Sequence, residues 1–115
     1  MSRDPRTNLL RRRTRSLRLA IAAKDYASSG TLHVRTKVCG RPNCACATDA
    51  DARHGPYYEW SRRVDGKLLH HVVSAAQARL IERAIRNYRE IGELLARWER
   101  ETVANILDEE APDEP

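Results

Sequence analysis

The stretch "CGRPNCACATDADARHGPYYEWSRRVDGKLLHHVV", Cys39 to Val73, decides how this chain is read. All three cysteines of the sequence lie in its first eight residues, and His54 follows just before Gly55-Pro56 and a run of aromatics. Cys39, Cys44, Cys46 and His54 give the spacing C-x4-C-x-C-x7-H. Zinc takes four sulfur or nitrogen ligands in a tetrahedron. A tight turn through Gly40, Pro42 and Asn43 returns Cys39 to Cys44. Cys46 lies two residues on, and the loop "ATDADAR" is long enough to bring His54 back. Clustered thiolates repel one another, and a bound cation removes that cost. Two other readings stand beside this one. The cysteines are free in a loop, or Cys44 and Cys46 do redox chemistry without the usual C-x-x-C at a helix start. Asp49 or Asp51 is an alternative fourth ligand, as are His33, His70 and His71 reaching in from a sheet, and iron is an alternative to zinc. Four protein ligands leave no open metal position, so the expected cofactor is structural zinc.

Working outward, "YYEWSRRV", "DG" and "KLLHHVV" form a β-hairpin. Asp-Gly between alternating strands is the strongest short-range hairpin signal. Pairing Val64 with Lys67 sets Trp60 opposite His71 and Tyr58 opposite Val73. One face then carries Tyr58, Trp60, Arg62, Leu69, His71 and Val73. The other carries Tyr57, Glu59, Leu68, His70 and Val72. Neither is cleanly apolar. "TLHVRTKVC", Thr31 to Cys39, is β-branched and partly alternating, so it reads as another strand.

Ser74 and Gln77 fit a capping box, and a long helix follows to about Leu107. Ile81, Ala84, Tyr88, Ile91, Leu95 and Trp98 recur at spacings of three and four, the seam of a helix packed lengthwise on another helix. A helix of 33 residues spans roughly 50 Å, more than a small domain covers. The N-terminal helix is expected to take half of the seam and a second copy of the chain the other half. Before the strand, "SLRLAIAAKDYASSG" reads as a helix stopped by Ser28, Ser29 and Gly30.

The organisation is therefore a basic flexible arm (1–13), one zinc-stabilised α+β domain (14–108) and an acidic disordered tail (109–115). The domain comprises a helix over 14–30, the zinc loop and hairpin over 31–73, and the long helix over 74–108. The chain has 115 residues, no phenylalanine and two tryptophans. A thin core of this kind calls for a metal, a disulfide or a partner.

Net charge is +5 and the imbalance is local. Seven arginines lie between Arg3 and Arg18 against Asp4 alone, while Asp108 to Glu114 holds five carboxylates. Arginine outnumbers lysine 18 to 3. That suits bidentate phosphate contacts, and a GC-rich genome produces the same bias. The expected nucleic-acid contacts are Arg11, Arg12, Arg13, Arg15 and Arg18 on phosphates, with Tyr58, Trp60, Arg62, Arg63 and Lys67 on the hairpin. The bland alternative is a solvated arginine face and core aromatics. No apolar run reaches membrane length, and three tightly clustered cysteines do not suit a secreted disulfide scaffold. A cytoplasmic location is expected. Neither H-E-x-x-H nor a deaminase signature is present. No catalytic residue and no small-molecule substrate are assigned; Glu59 with His70 and His71 is the remaining enzymatic candidate.

"CGRPNCACA", "HGPYYEW", Gly66-Lys67 and "AIRNYREI" together resemble a family of small bacterial proteins of uncharacterised function. Its pattern is C-G-[KR]-x-x-C-x-C, then H-G-P-Y-Y, a G-K turn and a long helix with a central N-Y-R. The resemblance runs from about Thr31 to Leu95 and leaves the arginine-rich segment outside. It implies an association with mobile elements and hence with nucleic acid. The function expected is a small zinc-containing nucleic-acid-binding protein, on DNA, accessory or regulatory, and homodimeric. The alternative is an interaction adaptor that dimerises or binds a partner through the long helix.

Overall fold

The computed structural model describes residues 5–108. Its elements run α1 (Pro5–Ala22), β1 (Thr31–Lys37), two 3₁₀ turns (Ala45–Ala47 and Ala50–Ala52), β2 (His54–Val64), β3 (Lys67–Val73) and α2 (Ala75–Leu107). This is an α+β chain: an N-terminal helix, a three-stranded antiparallel sheet with a cysteine-rich loop, and a long C-terminal helix. It divides into two compact units, one of Met1–Asp25 with Asn87–Pro115 and one of Tyr26–Arg86. The span 14–108 read as one domain holds all of the second unit and part of the first. The acidic tail, 109–115, lies outside the described residues.

In the second unit, the sheet order is β1-β2-β3. The hairpin has the expected register, Val64 opposite Lys67, Trp60 opposite His71 and Tyr58 opposite Val73. Asp65 (φ 51°) and Gly66 (φ 79°) both take positive φ, the type I′ geometry that matches strand twist. β1 lies along the other side of β2, with Leu32 opposite Trp60 and Val34 opposite Tyr58. The ladder slips between Arg35 and Lys37, which sets Lys37 opposite His54. Tyr58, Trp60 and Arg62 are half-buried on the face toward α2, whose first turns bury Ala78, Ile81 and Ala84. An apolar groove of Trp60, His71, Val73, Leu80 and Ile81 marks that contact. The other face, with Tyr57, Arg63, His70 and Val72, is bare, and there Ser61 Oγ and His70 Nδ1 are 2.8 Å apart.

Gly30 closes the turn into β1 with φ 126°, and a Cβ there would stand 2.5 Å from Trp60 Nε1 and 2.6 Å from the Ser61 carbonyl. Gly30→Ala is therefore expected to cost about 2–5 kcal/mol, the sum of backbone strain and overpacking. Chemical denaturation checks this; a loss under ~0.5 kcal/mol would mean that the turn relaxes freely.

The Ser74–Gln77 capping box forms. Gln77 N–H donates to Ser74 Oγ at 3.1 Å, and Ser74 N–H donates to Gln77 Oε1 at 2.9 Å. In the first unit α1 runs antiparallel to the C-terminal part of α2. Lys24 pairs with Glu90, Asn87 Nδ2 donates to Asp25 Oδ1 at 3.3 Å, and at the other end Asn105 Nδ2 donates to the Arg6 carbonyl at 3.2 Å. Thr14 and Leu17 are buried in α1, and Thr14 satisfies its hydroxyl on the Leu10 carbonyl at 2.8 Å. Residues 10, 14, 17 and 21 of α1, Lys24 just past its end, and 87, 91, 94, 98, 101 and 105 of α2 are buried or half-buried. Both series alternate steps of four and three, the pattern of a two-helix seam.

Two bounds differ from the sequence reading. The N-terminal helix begins at Pro5 and ends at Ala22, so most of the segment read as a flexible arm is helical. Pro5 suits a first helical position, and Leu10, Thr14, Leu17 and Ile21 give the segment an inward stripe. Along α2, the sheet packs on the first turns and α1 on the part from Asn87 onward. Of the expected seam residues, Ile81 and Ala84 are buried and Ile91 and Trp98 half-buried, whereas Tyr88 and Leu95 are 52% and 50% exposed.

Candidate metal centre

The β1–β2 register builds the site. His54 opens β2 opposite Lys37, so Cys39, two residues past the end of β1, leaves the sheet beside it. Gly40 turns the chain with φ 80°. A further turn, closed by Cys44 N–H donating to the Arg41 carbonyl at 3.2 Å, carries Pro42 and Asn43 and brings Cys44 back. The two 3₁₀ turns then fold the loop onto itself, with the Asp49 side chain accepting from the Asp51 amide at 3.0 Å.

Cys39, Cys44, Cys46 and His54 come together with their four ligand atoms within 4.8 Å of one another. They are the one such cluster among the described residues. Cys44 Sγ is 3.4 Å from His54 Nε2 and Cys46 Sγ is 3.5 Å from Cys39 Sγ. With metal–sulfur bonds of about 2.3 Å and metal–nitrogen bonds of about 2.0 Å, tetrahedral edges are roughly 3.8 Å and 3.5 Å. The donor set therefore fits a tetrahedral ion, and these four residues can hold one. The alternative fourth ligands do not join. Asp49 caps its own turn, His70 meets Ser61, and His71 lies with its ring 6.0 Å from that of Trp60.

The local electrostatics act oppositely on two of the sulfurs. Cys46 is 2% exposed, and the Cys39 amide donates to its sulfur at 3.4 Å. That hydrogen bond pulls the Cys46 thiol down, but burial and the neighbouring Cys44 and Cys39 thiols outweigh it, so its pKa is raised. Cys44 is lowered, first by the Cys46 amide and then by the Cys46 and Cys39 thiols. Protons and metal compete for these sulfurs, so occupancy falls as pH drops.

Cys39, Cys44 and His54 also face an open cavity of about 610 Å³, whose other walls are Arg41, Asn43 and Tyr57. Lys37 Nζ stands 5.0 Å from the centre of the Tyr57 ring. Sequence reasoning did not single out these residues. The usable signal was strand parity, which puts Tyr57 on the face away from Tyr58 and Trp60.

The expected nucleic-acid residues scatter. Arg63 and Lys67 are exposed at the far end of the hairpin. Trp60 faces the helix and donates through Nε1 to the Ser29 carbonyl at 3.4 Å. Arg62 covers its ring at 5.1 Å. Arg11, Arg12, Arg13 and Arg15 are exposed on α1, and Arg18, half-buried, donates to the Arg11 carbonyl at 2.9 Å.

A family described as a domain of unknown function (DUF6788) has a sequence model that matches residues 8–83. The chain belongs to this family. The DUF6788 match contains the whole cysteine and histidine cluster, the sheet and most of α1. It thus takes in the arginine segment that the resemblance left outside, and it stops short of Asn87-Tyr88-Arg89. No curated protein and no solved structure matches the chain. No described helix is long and apolar enough to cross a membrane.

Proposed function

We propose that this chain is a small zinc-stapled nucleic-acid-binding protein, with DNA as the first partner to test and no catalytic role. One observation carries the reading. The eighteen residues of α1 contain six arginines and no carboxylate, and Arg11, Arg12, Arg13, Arg15 and Arg18 form no ion pair with any described residue. Positions 11, 15 and 18 share one side of a helix, with 12 beside them. Like charges at that spacing repel, and a polyanion would relieve that repulsion. A helical stripe of guanidinium groups matches successive backbone phosphates, giving affinity without sequence choice.

Zinc is the natural occupant of a four-ligand sulfur and nitrogen site. It would be held by Cys39, Cys44, Cys46 and His54 and would supply folding energy rather than chemistry. The ligands' part is to fix the turn between β1 and β2.

The direct test is duplex DNA binding by the zinc-loaded protein over a range of salt. Four phosphate contacts, from Arg11, Arg12, Arg15 and Arg18, predict a plot of log K against log salt with a slope near −3.6, at about −0.9 per contact. A slope near zero, or no binding at about 50 mM salt, would contradict the reading.

A second reading, self-association, is favoured by the exposure of Leu95, Val103 and Ile106 at 50%, 45% and 61% on α2. Under it the chain is a homodimer or adaptor joined along that face. Leu95→Glu with Val103→Glu should then halve the solution mass.

A further inference from the structure

Resting on the nucleic-acid reading, we propose that the cavity between the cysteine loop and β2 is a nucleotide pocket for single-stranded nucleic acid. An unpaired base would lie over Tyr57, with its phosphate between Lys37 and Arg41.

Shape comes first. At about 610 Å³ the cavity falls within the range that holds small ligands. Cys39, Cys44 and His54 of the metal centre form its floor, and Tyr57 on β2 with Arg41 and Asn43 on the loop form the walls left for a ligand. Tyr57 is the aromatic ring of the bare sheet face, 36% exposed, while Tyr58 and Trp60 of the same strand turn toward α2. Bases stack on exposed aromatic rings without regard to sequence, and an open sheet face is one known support for such rings. A base that is paired and stacked inside a duplex has no free face to lay on the ring, which selects single strand over duplex.

Charge comes second. Among the described residues, no carboxylate lines the cavity. Glu59 is on the same face, but Arg35 Nε holds it at 3.4 Å. A divalent ion on three thiolates would carry a net −1, and Arg41 and Lys37 place two positive charges beside Tyr57 to receive a phosphate. Lys37 now covers the Tyr57 ring. An exposed cation–π contact is weaker than base stacking, so a base displaces the ammonium group and frees it for the phosphate. Asn43 offers both a donor and an acceptor for a base edge.

The experiment is anisotropy titration of zinc-loaded full-length protein with fluorescein-labelled oligothymidylate and, separately, with a labelled duplex. Tyr57→Ala should weaken oligothymidylate binding about 5- to 150-fold, the range for losing one stacked base. It should leave duplex affinity within about twofold, since duplex contacts lie on α1. Tyr57→Phe keeps the ring and should bind as wild type. Arg41→Glu, on an exposed loop, should weaken single-strand binding and reduce its salt slope by about 0.7. Zinc content and melting temperature of each variant exclude a collapsed loop as the cause. Wild-type affinity for oligothymidylate in both Tyr57→Ala and Arg41→Glu would overturn the pocket while leaving duplex binding intact. Failure of wild type to bind either probe would overturn the nucleic-acid reading and the pocket with it.

Discussion

A strong chelator is expected to abolish the cooperative melt of the Tyr26–Arg86 unit. Among its described residues, the buried apolar side chains are Cys46, Ala78, Ile81 and Ala84. Two of these are alanines and one is a proposed metal ligand. Full burial of a large aliphatic side chain contributes about 1.5–3 kcal/mol, so this core alone does not offset the ordering of some sixty residues. Structural zinc in small domains contributes on the order of 10 kcal/mol, comparable with the whole stability of a domain. Removing it should therefore unfold the unit rather than soften it. Hydrogen exchange reads the result by position: amides of β1, β2 and β3 should lose protection after chelation and regain it when zinc is restored. Cys46→Ala should behave like the chelated protein, because its sulfur is the most deeply buried of the set and receives the Cys39 amide. Strand amides that stay protected without metal would show that the sheet holds itself.

The triple variant Arg11→Glu, Arg12→Glu and Arg15→Glu should lose duplex DNA at moderate salt. All three side chains are exposed and lie away from Thr14 and Leu17, which are buried. Removing a cation that faces a polyanion costs about 1 kcal/mol near physiological salt. Three losses give on the order of 100-fold, and reversing the sign adds to it. Helicity and melting temperature should hardly change, since no described carboxylate partner is lost. A matching set of glutamine substitutions should fall between wild type and the reversal. DNA affinity unchanged by charge reversal would show that the arginines form only a solvated face.

The parts of this fold that local chemistry dictates were legible. Asp65-Gly66 gave the hairpin and its register because few turns accept two positive φ values. Ser74 and Gln77 gave the start of α2 through reciprocal bonds within four residues. The ligand set was readable because cysteine and histidine are rare in this sequence and crowd together. What depended on distant partners was harder. The seam of α2 runs through Asn87, Glu101 and Asn105 as well as Ile91, Leu94 and Trp98. A search for apolar spacing passes over the first three and selects Tyr88 and Leu95 instead. Asn87 and Asn105 are tolerated half-buried because their side-chain amides donate hydrogen bonds to Asp25 and to the Arg6 carbonyl, and neither partner is near them in sequence. The beginning of α1 was hidden in the same way. Thr14 is its most buried residue, yet it is polar and stands between arginines. The faces of the hairpin could be separated by parity but not assigned to helix or solvent, because Arg62 and His71 alternate in step with Trp60.

The central claim is that a cation ties Cys39, Cys44, Cys46 and His54 into one centre. Elemental analysis of protein purified without added metal, combined with X-ray absorption at the zinc edge, tests it most directly. The expected result is one zinc per chain with three sulfurs at about 2.3 Å and one nitrogen at about 2.0 Å. Folded protein with no bound metal and three freely titratable thiols would contradict it.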